Sequence, residues 1–257
     1  MSLQTCIDLV RDADPERHGV TRVATDAAQA RLWPIYALNI EISRAAWASS
    51  EPMIAEMRLQ WWRDALDEIA RGEPARPHPV LAECGFLSGD LAAGMIWDRL
   101  IEARRWDIWS EPFEDEDALW SHLEATSGGL MWLAARALDA GPQAEEVVRA
   151  FGTVHGLANW LRAVPELEGR GRWPLPDGRP DALVGLASRG LGRCREARKH
   201  RALVSRSALP AMLAGWQTAG LLTQVQRRPW IVADGTLQLS EFHRRGGLML
   251  RALSGHW

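Results

Sequence analysis

Apolar residues recur along this chain at the three- and four-residue spacing of helices, and the strict alternation of strands is sparse. The segment from Pro52 to Arg71 illustrates it: Ile54, Met57, Trp61, Leu66 and Ile69 fall at helical spacing among charged neighbours. A longer helix is predicted from Ala24 to Ser49. Pro34 inside it marks a kink or junction, because a mid-helix proline has no N–H to donate and crowds the preceding turn. Gly72 to Pro79 contains three prolines and breaks the pattern. Val80 to Glu83 opens a short helix cut at Gly85, and Gly89 to Trp106 forms another before Pro112 stops it. Helices are predicted over Asp115–Leu138 and Pro142–Leu161, then an extended loop over Trp173–Arg179. Asp181–Val204, Leu209–Arg227 and Ser240–Ser254 supply three more. The pattern reads as an all-α chain with its helices packed on one another.

The most informative stretch runs from Gly152 to Pro176 and reads GTVHGLANWLRAVPELEGRGRWPLP. An Asn-x-x-Arg helical core passes into a Gly-Arg turn and a Pro-Leu-Pro stop. It resembles the second signature of the squalene/phytoene synthase family, GxxxQLTNILRDVxEDxxRGRxYLP, without a gap from Leu157 to Pro176. Upstream, Ile35 to Trp47 reads IYALNIEISRAAW and resembles the family's LYAFCRxxDDxxD, matching at Tyr36-Ala37-Leu38. Ser50–Ile69 (SEPMIAEMRLQWWRDALDEI) and Trp120–Met131 (WSHLEATSGGLM) resemble two further family segments in the same order. The resemblance covers roughly Asp12 to Pro176. It implies a single domain over residues 1–257 with the isoprenoid synthase fold, all-α around a central cavity. Members of the head-to-head type join two prenyl diphosphates.

In the family, aspartates four residues apart chelate magnesium. Residues i and i+4 share one helix face, and magnesium takes carboxylate oxygens together with substrate phosphate oxygens. The metal offsets a charge that would otherwise be costly to bury in an apolar pocket. Here the second motif carries Ala163 and Leu167 at those positions, and the first carries Ser43, Arg44 and Trp47. Pro165 lies between Ala163 and Leu167 and is expected to kink or end its helix. Both metal half-sites are lost. The chain therefore resembles a degenerate branch, one that includes proteins similar to the mitochondrial complex I assembly factor with a phytoene-synthase-like fold. That resemblance implies no catalytic residue, no metal and no cofactor. It implies a binding or assembly protein for a membrane-associated respiratory complex, with an isoprenoid or lipid as a possible ligand. The positions it assigns to ligand binding are Tyr36, Asn159, Arg162, Glu166, Arg170 and Arg172. Salt bridging of the three arginines to Glu166 and Glu168 is the plainer alternative. Two other readings stay open. One is an active prenyl transferase whose magnesium is held elsewhere, with Asp64, Asp67 and Glu68 as candidates. The other is a carrier that uses the cavity without chemistry.

Composition narrows the partners. The net charge of −3 at 257 residues gives no basic excess for nucleic acid. Cys6, Cys84 and Cys194 are isolated, which fits a reducing, cytoplasmic setting. No apolar run reaches the ~20 residues that cross a bilayer. The 14 Trp against one Tyr and four Phe are unusual. They either fill wide helix–helix gaps or line a lipid pocket or membrane surface, with Trp61, Trp62, Trp106 and Trp109 the candidates. Glu114 to Asp117 reads as a helix start, where acidic side chains suit the helix dipole. His155 lies beside the signature, in a core or capping role. Arg193, Arg195, Arg198, Lys199, Arg201 and Arg206 form a basic stretch, either a solvated face or a contact with anionic lipid. The tail from Phe242 to Trp257 is amphipathic enough for a partner or for the periphery of an inner membrane.

Overall fold

A computed structural model describes residues 3–109 and 111–257, apart from the side chains of 241–245. Readings that rest on the side chains of Phe242, Arg244 and Arg245 lie outside the described residues. Among the described residues thirteen α-helices follow one another: α1 (Leu3–Ala13), α2 (Pro15–Thr21), α3 (Asp26–Trp47), α4 (Pro52–Ala70), α5 (Leu91–Ala103), α6 (Trp106–Trp109), α7 (Glu116–Leu123), α8 (Gly129–Ala137), α9 (Glu145–Gly169), α10 (Pro180–Lys199), α11 (Leu209–Leu213), α12 (Thr218–Arg227) and α13 (Glu241–Ser254). Among the described residues there is no strand.

Local chemistry sets most boundaries. Thr25 caps α3, its hydroxyl accepting from Ala28 N at 3.4 Å. Asp115 caps α7 by accepting from Ala118 N at 2.8 Å, so the acidic run does stand at a helix start. Three expectations need correction. α1 and α2 had no predicted counterpart. The stretch 209–227 is two helices, because the chain turns over Ala214–Gln217. α9 continues through Pro165 to Gly169 instead of ending near Leu161, and α3 likewise runs through Pro34. Each proline removes one donor, but the remaining ladder and packing on both sides hold the helix. Pro165 itself packs on the turn at Gly235.

α9 is the axis. It packs on α7, α8, α10, α11 and α12, and most tightly on a single π-helical turn at Glu124–Gly128 between α7 and α8. Glycines permit that approach. A Cβ on Gly152 would lie 2.8 Å from Met131 Cβ and 2.9 Å from Ser127 O. A π turn inserts one residue into the helix and commonly marks a functional position. Here it turns Thr126 and Ser127 toward the interior beside α9. One apolar core runs from Cys6 to Trp257 and includes Trp33, Trp97 and Trp132, each almost fully buried. Most tryptophans thus fill the gaps between helices, while Trp109, Trp173 and Trp230 stay half exposed or more.

Gly152→Ala is expected to force α9 and the π turn apart and to cost about 1–3 kcal/mol, the usual range for overpacking. Urea denaturation of the two proteins measures it.

Candidate functional site

Helices α3 and α9 face a cavity of ≈ 290 Å³ whose other walls come from α2, α6, α7, the π turn, α8 and Arg104 just after α5. Trp47, Asn159, Ala163, Glu166, Leu167 and Arg170 line it, joined by Arg17, Arg104, Asp107 and His122. The fold therefore brings one position of the first motif and both of the second to a common wall. Ser43 and Arg44 are not on that wall. The Ser43 hydroxyl donates to Asn39 O at 2.8 Å, and Arg44 pairs with Glu41 at 3.8 Å.

Trp47 is the contact across the cavity mouth. Its ring carries the guanidinium of Arg170 at 4.8 Å and that of Arg172 at 4.7 Å. The local fold explains how two arginines reach one ring. α9 ends in a Schellman turn: Arg172 N donates to Leu167 O at 3.0 Å and Gly171 N to Glu168 O at 2.9 Å. Gly171 has φ +75°, a conformation that a side chain would strain. This reversal sets Arg170 and Arg172 on either side of the turn, both over Trp47. Arg170 also pairs with Glu166 at 2.6 Å. Arg172 donates to Ile108 O at 3.4 Å and has no ion pair among the described residues, so the expected bridge to Glu168 is absent. Aromatic faces carry negative potential and accept cations in this way.

The remaining charges are internally matched. Asp107 is buried beside Arg104 at 3.4 Å; burial raises its carboxyl, and Arg104, Arg172 and Arg170 pull the other way. His122 is buried within an aromatic block of Trp106, Phe113 and Trp160, at ring distances of 5.9, 5.4 and 5.0 Å. Burial, with Arg104 adding to it, pushes the imidazole down to about 3. Its Nε2 has no hydrogen-bond partner. Trp160 Nε1 donates to Pro174 O at 2.8 Å, tying the Pro-Leu-Pro loop to α9.

A second cleft of ≈ 550 Å³ opens beyond Asn159 and is lined by Glu16, Arg162, His155 and Gln217. Arg162 belongs here: it grips the Glu16 carboxylate through two bonds of 2.8 and 3.0 Å. That partner comes from α2, which the sequence pattern had not revealed. Arg17 and Asn159 line both spaces. A small space of only ≈ 10 Å³, lined by Arg17, Tyr36, Ser127 and His155, shares residues with both. The Arg17 guanidinium sits 4.9 Å above the Tyr36 ring, and burial pushes the Tyr36 hydroxyl up to about 12. His155 takes a core role, bonded to Asn159 at 3.1 Å and Thr218 at 3.4 Å and pushed down to about 3 by burial. The sequence pointed to His155 as the one histidine near the cavity, whereas it is His122 that lines the cavity and His155 lines the second cleft.

The donor set does not fit a magnesium ion. Trp47, Ala163 and Leu167 offer no oxygen, and the carboxylates of Asp107 and Glu166 are engaged by arginines. Among the described residues no three His, Cys, Asp or Glu side chains group as metal ligands. The alternative carboxylates lie elsewhere on α4. Asp64 accepts from Gln60 at 2.7 Å, Asp67 pairs with Arg71 at 3.2 Å, and Glu68 with Arg76 at 2.6 Å. Neither Asp64, Asp67 nor Glu68 reaches the cavity.

Two outcomes follow from this geometry. Trp47→Ala is expected to cost about 2–3 kcal/mol, from lost packing plus two cation–π contacts, and Trp47→Phe clearly less; urea denaturation separates them. The two neutral histidines also couple folding to pH. Their folded pKa lies below the ordinary 6.5, so below that pH the unfolded chain binds protons that the folded chain refuses. Stability is full above about pH 6.5 and falls toward pH 3, by up to about 1.4 kcal/mol per pH unit for each histidine. His122→Gln should flatten that slope in melts taken from pH 7 to 4.

The profile of the squalene/phytoene synthase family matches residues 10–243. In Drosophila melanogaster, the assembly factor 6 homolog of NADH dehydrogenase (ubiquinone) complex I is 28% identical over 178 residues, 66% of this chain and 52% of that protein. The Mus musculus complex I assembly factor 6 is 23% identical over 256 residues, 91% of this chain and 76% of that protein. The chain thus spans about half the length of the first relative and three quarters of the second. A crystal structure of a dehydrosqualene synthase in complex with ligand superposes with a TM-score of 0.77 at 14% identity, covering 98% of this chain and 95% of that one. At that identity the likeness establishes the isoprenoid synthase fold. With the profile spanning most of the sequence, the chain belongs to the squalene/phytoene synthase family.

Proposed function

We propose that this chain has lost magnesium-dependent prenyl transfer and works as a binding and assembly protein, with components of a respiratory complex as its partners. One observation carries the reading. Three positions at which the family pattern has aspartates converge on one cavity, and the contact made there is Arg170–Trp47–Arg172. A cation–π contact cannot hold a metal, and it occupies the ring that stands in place of a ligand.

Cavity size points the same way. At ≈ 290 Å³ it lies at the lower edge of the ~300–1,000 Å³ typical of pockets for one drug-sized ligand. Two long prenyl diphosphates would need far more room. The assembly role is supported by the relatives, which are named as complex I assembly factors. No helix among the described residues is long and apolar enough to cross a membrane. The location that goes with this reading is cytoplasmic, peripheral to an inner membrane.

A carrier reading keeps one specific support. His122 Nε2 and Arg104 Nε are buried without partners at the cavity, one a possible acceptor and the other a donor. A single small amphiphile with a polar head would satisfy both. In this reading Asn159 and Arg170 contact the head, Tyr36 lines the small space beside it, and Arg162 and Arg172 stay structural.

Diphosphate release from farnesyl and geranylgeranyl diphosphate, with and without magnesium, tests the loss of catalysis. The expected result is no turnover and no magnesium-dependent shift in Tm; metal-dependent release would overturn the reading. Affinity capture from native membranes is expected to recover respiratory-complex subunits, and their absence would remove the assembly role. A co-purifying apolar compound in solvent extracts would favour the carrier.

A further inference from the structure

Two tryptophans stand out from the surface beside the cavity mouth, Trp109 at 51% and Trp173 at 69% exposure. One guanidinium joins them. Arg172, next to Trp173 in the chain, lies over the Trp47 ring and donates to the carbonyl of Ile108, next to Trp109. Both rings are held in place. Trp109 Nε1 donates to Glu56 Oε1 at 2.7 Å. Trp173 sits between the Arg172 contacts and Pro174, whose carbonyl accepts from Trp160. Each ring therefore projects into water from a fixed stretch of backbone.

The Glu56 bond brings α4 to the same place. Met53 lies one turn before Glu56 on that helix, at 67% exposure, and Met57 follows Glu56, at 70%. None of these four side chains lines a described cleft, so they protrude. A surface helix normally presents polar residues to water, and apolar side chains gathered on a surface mark an interaction site. The charges among them are balanced. Arg105 pairs with Glu56 at 3.0 Å and Arg170 with Glu166 at 2.6 Å, while Arg172 has no ion pair among the described residues. The surface is thus apolar and close to neutral, with one unmatched guanidinium between its two rings.

We propose that Met53, Met57, Trp109 and Trp173 form a docking surface for a bilayer of zwitterionic phospholipid, with Arg172 between the two rings. Tryptophan favours the membrane–water interface, its ring at headgroup depth. A zwitterionic headgroup supplies an ammonium for the ring faces and a phosphate for the guanidinium. The balanced charges give anionic lipid no special advantage. A bilayer also takes protruding side chains without a matching pocket, which a protein partner would have to provide. In this orientation the cavity mouth at Trp47 faces the headgroups. The proposal rests on the peripheral location above, and it stands apart from the loss of catalysis and from the identity of the protein partner.

The test uses the full chain in a flotation assay with vesicles of phosphatidylcholine, alone or mixed with phosphatidylglycerol. Binding to phosphatidylcholine alone is expected. Phosphatidylglycerol should raise it by no more than about fivefold, the effect of one cation, and added salt should change it little. Trp173→Ser should weaken binding roughly tenfold, and Met53→Ser/Met57→Ser by a similar factor. Phe86→Ser is the control and should bind as the wild type. Phe86 is 42% exposed, but its loop meets the other end of α4, where Gly89 N donates to Ile69 O at 3.2 Å. Every change falls on an exposed side chain, and circular dichroism checks each fold. Binding confined to the anionic vesicles, or binding that neither Trp173→Ser nor the methionine pair weakens, would overturn this surface and leave the peripheral location standing. No binding by the wild type to either vesicle would overturn the surface and leave only protein contacts to hold the chain at a membrane. A dimer in sedimentation that Met53→Ser/Met57→Ser dissolves would overturn it too, by giving the ridge to a second copy. So would loss of captured respiratory subunits in these variants while vesicle binding persists, which would give the ridge to a protein.

Discussion

Everything near the cavity follows from one constraint: α3 and α9 face each other across a space lined by arginines, and among the described residues no carboxylate pair bridges them. A fold that gathers cationic groups around a partly buried cavity must supply something to balance them. Here the balance is assembled from several partial solutions. Trp47 offers its ring to Arg170 and Arg172, Tyr36 offers its ring to Arg17, and Glu16 takes Arg162 in a two-bond grip. Asp107 faces Arg104 from the short helix α6. The contacts link α2, α3, α6 and the end of α9, so the charge arrangement also fixes where these elements sit.

The aromatic block beneath the cavity belongs to the same solution. Trp106 and Phe113 stack at 5.0 Å, and Trp160 closes against them while its indole N–H reaches Pro174 O. These rings surround His122, which still lines the cavity. Burial, with arginines adding to it, keeps both histidines neutral: Arg104 beside His122, and Arg17 and Arg162 beside His155, where Glu16 pulls the other way. The result is an interior of packed rings and matched charges, in which Trp47, Ala163 and Leu167 supply no side-chain oxygen at three positions where the family pattern has aspartates.

Much of this was legible beforehand. The helical spacing and the order of the four family-like segments fixed the all-α class and the isoprenoid synthase fold. The erased positions Ala163 and Leu167 could be read directly, since an alignment without gaps needs no coordinates. Less legible were the helices α1 and α2, whose short, mixed sequences carry a weak periodic signal, and the passage of α9 through Pro165. Proline is a local breaker, and whether the break occurs depends on the helices packed around it. The destination of each arginine was equally hidden. Sequence proximity pointed Arg162 and Arg172 toward Glu166 and Glu168, but an i,i+4 neighbour competes with any partner the fold brings closer.

What the sequence by itself determined is therefore the architecture and the loss of ligand oxygens at the motif positions, because both are properties of residue type and spacing. Tertiary structure alone decided which side chains replaced them. Trp47 lies more than a hundred residues from Arg170 and Arg172 in the chain. Only the Schellman reversal at Gly171, with its positive φ, sets those two guanidiniums over that ring. Likewise, Arg162 and Glu16 are 146 positions apart and form their two-bond grip only in the folded chain. Long-range contacts of this kind depend on how helices pack, and no local pattern encodes them.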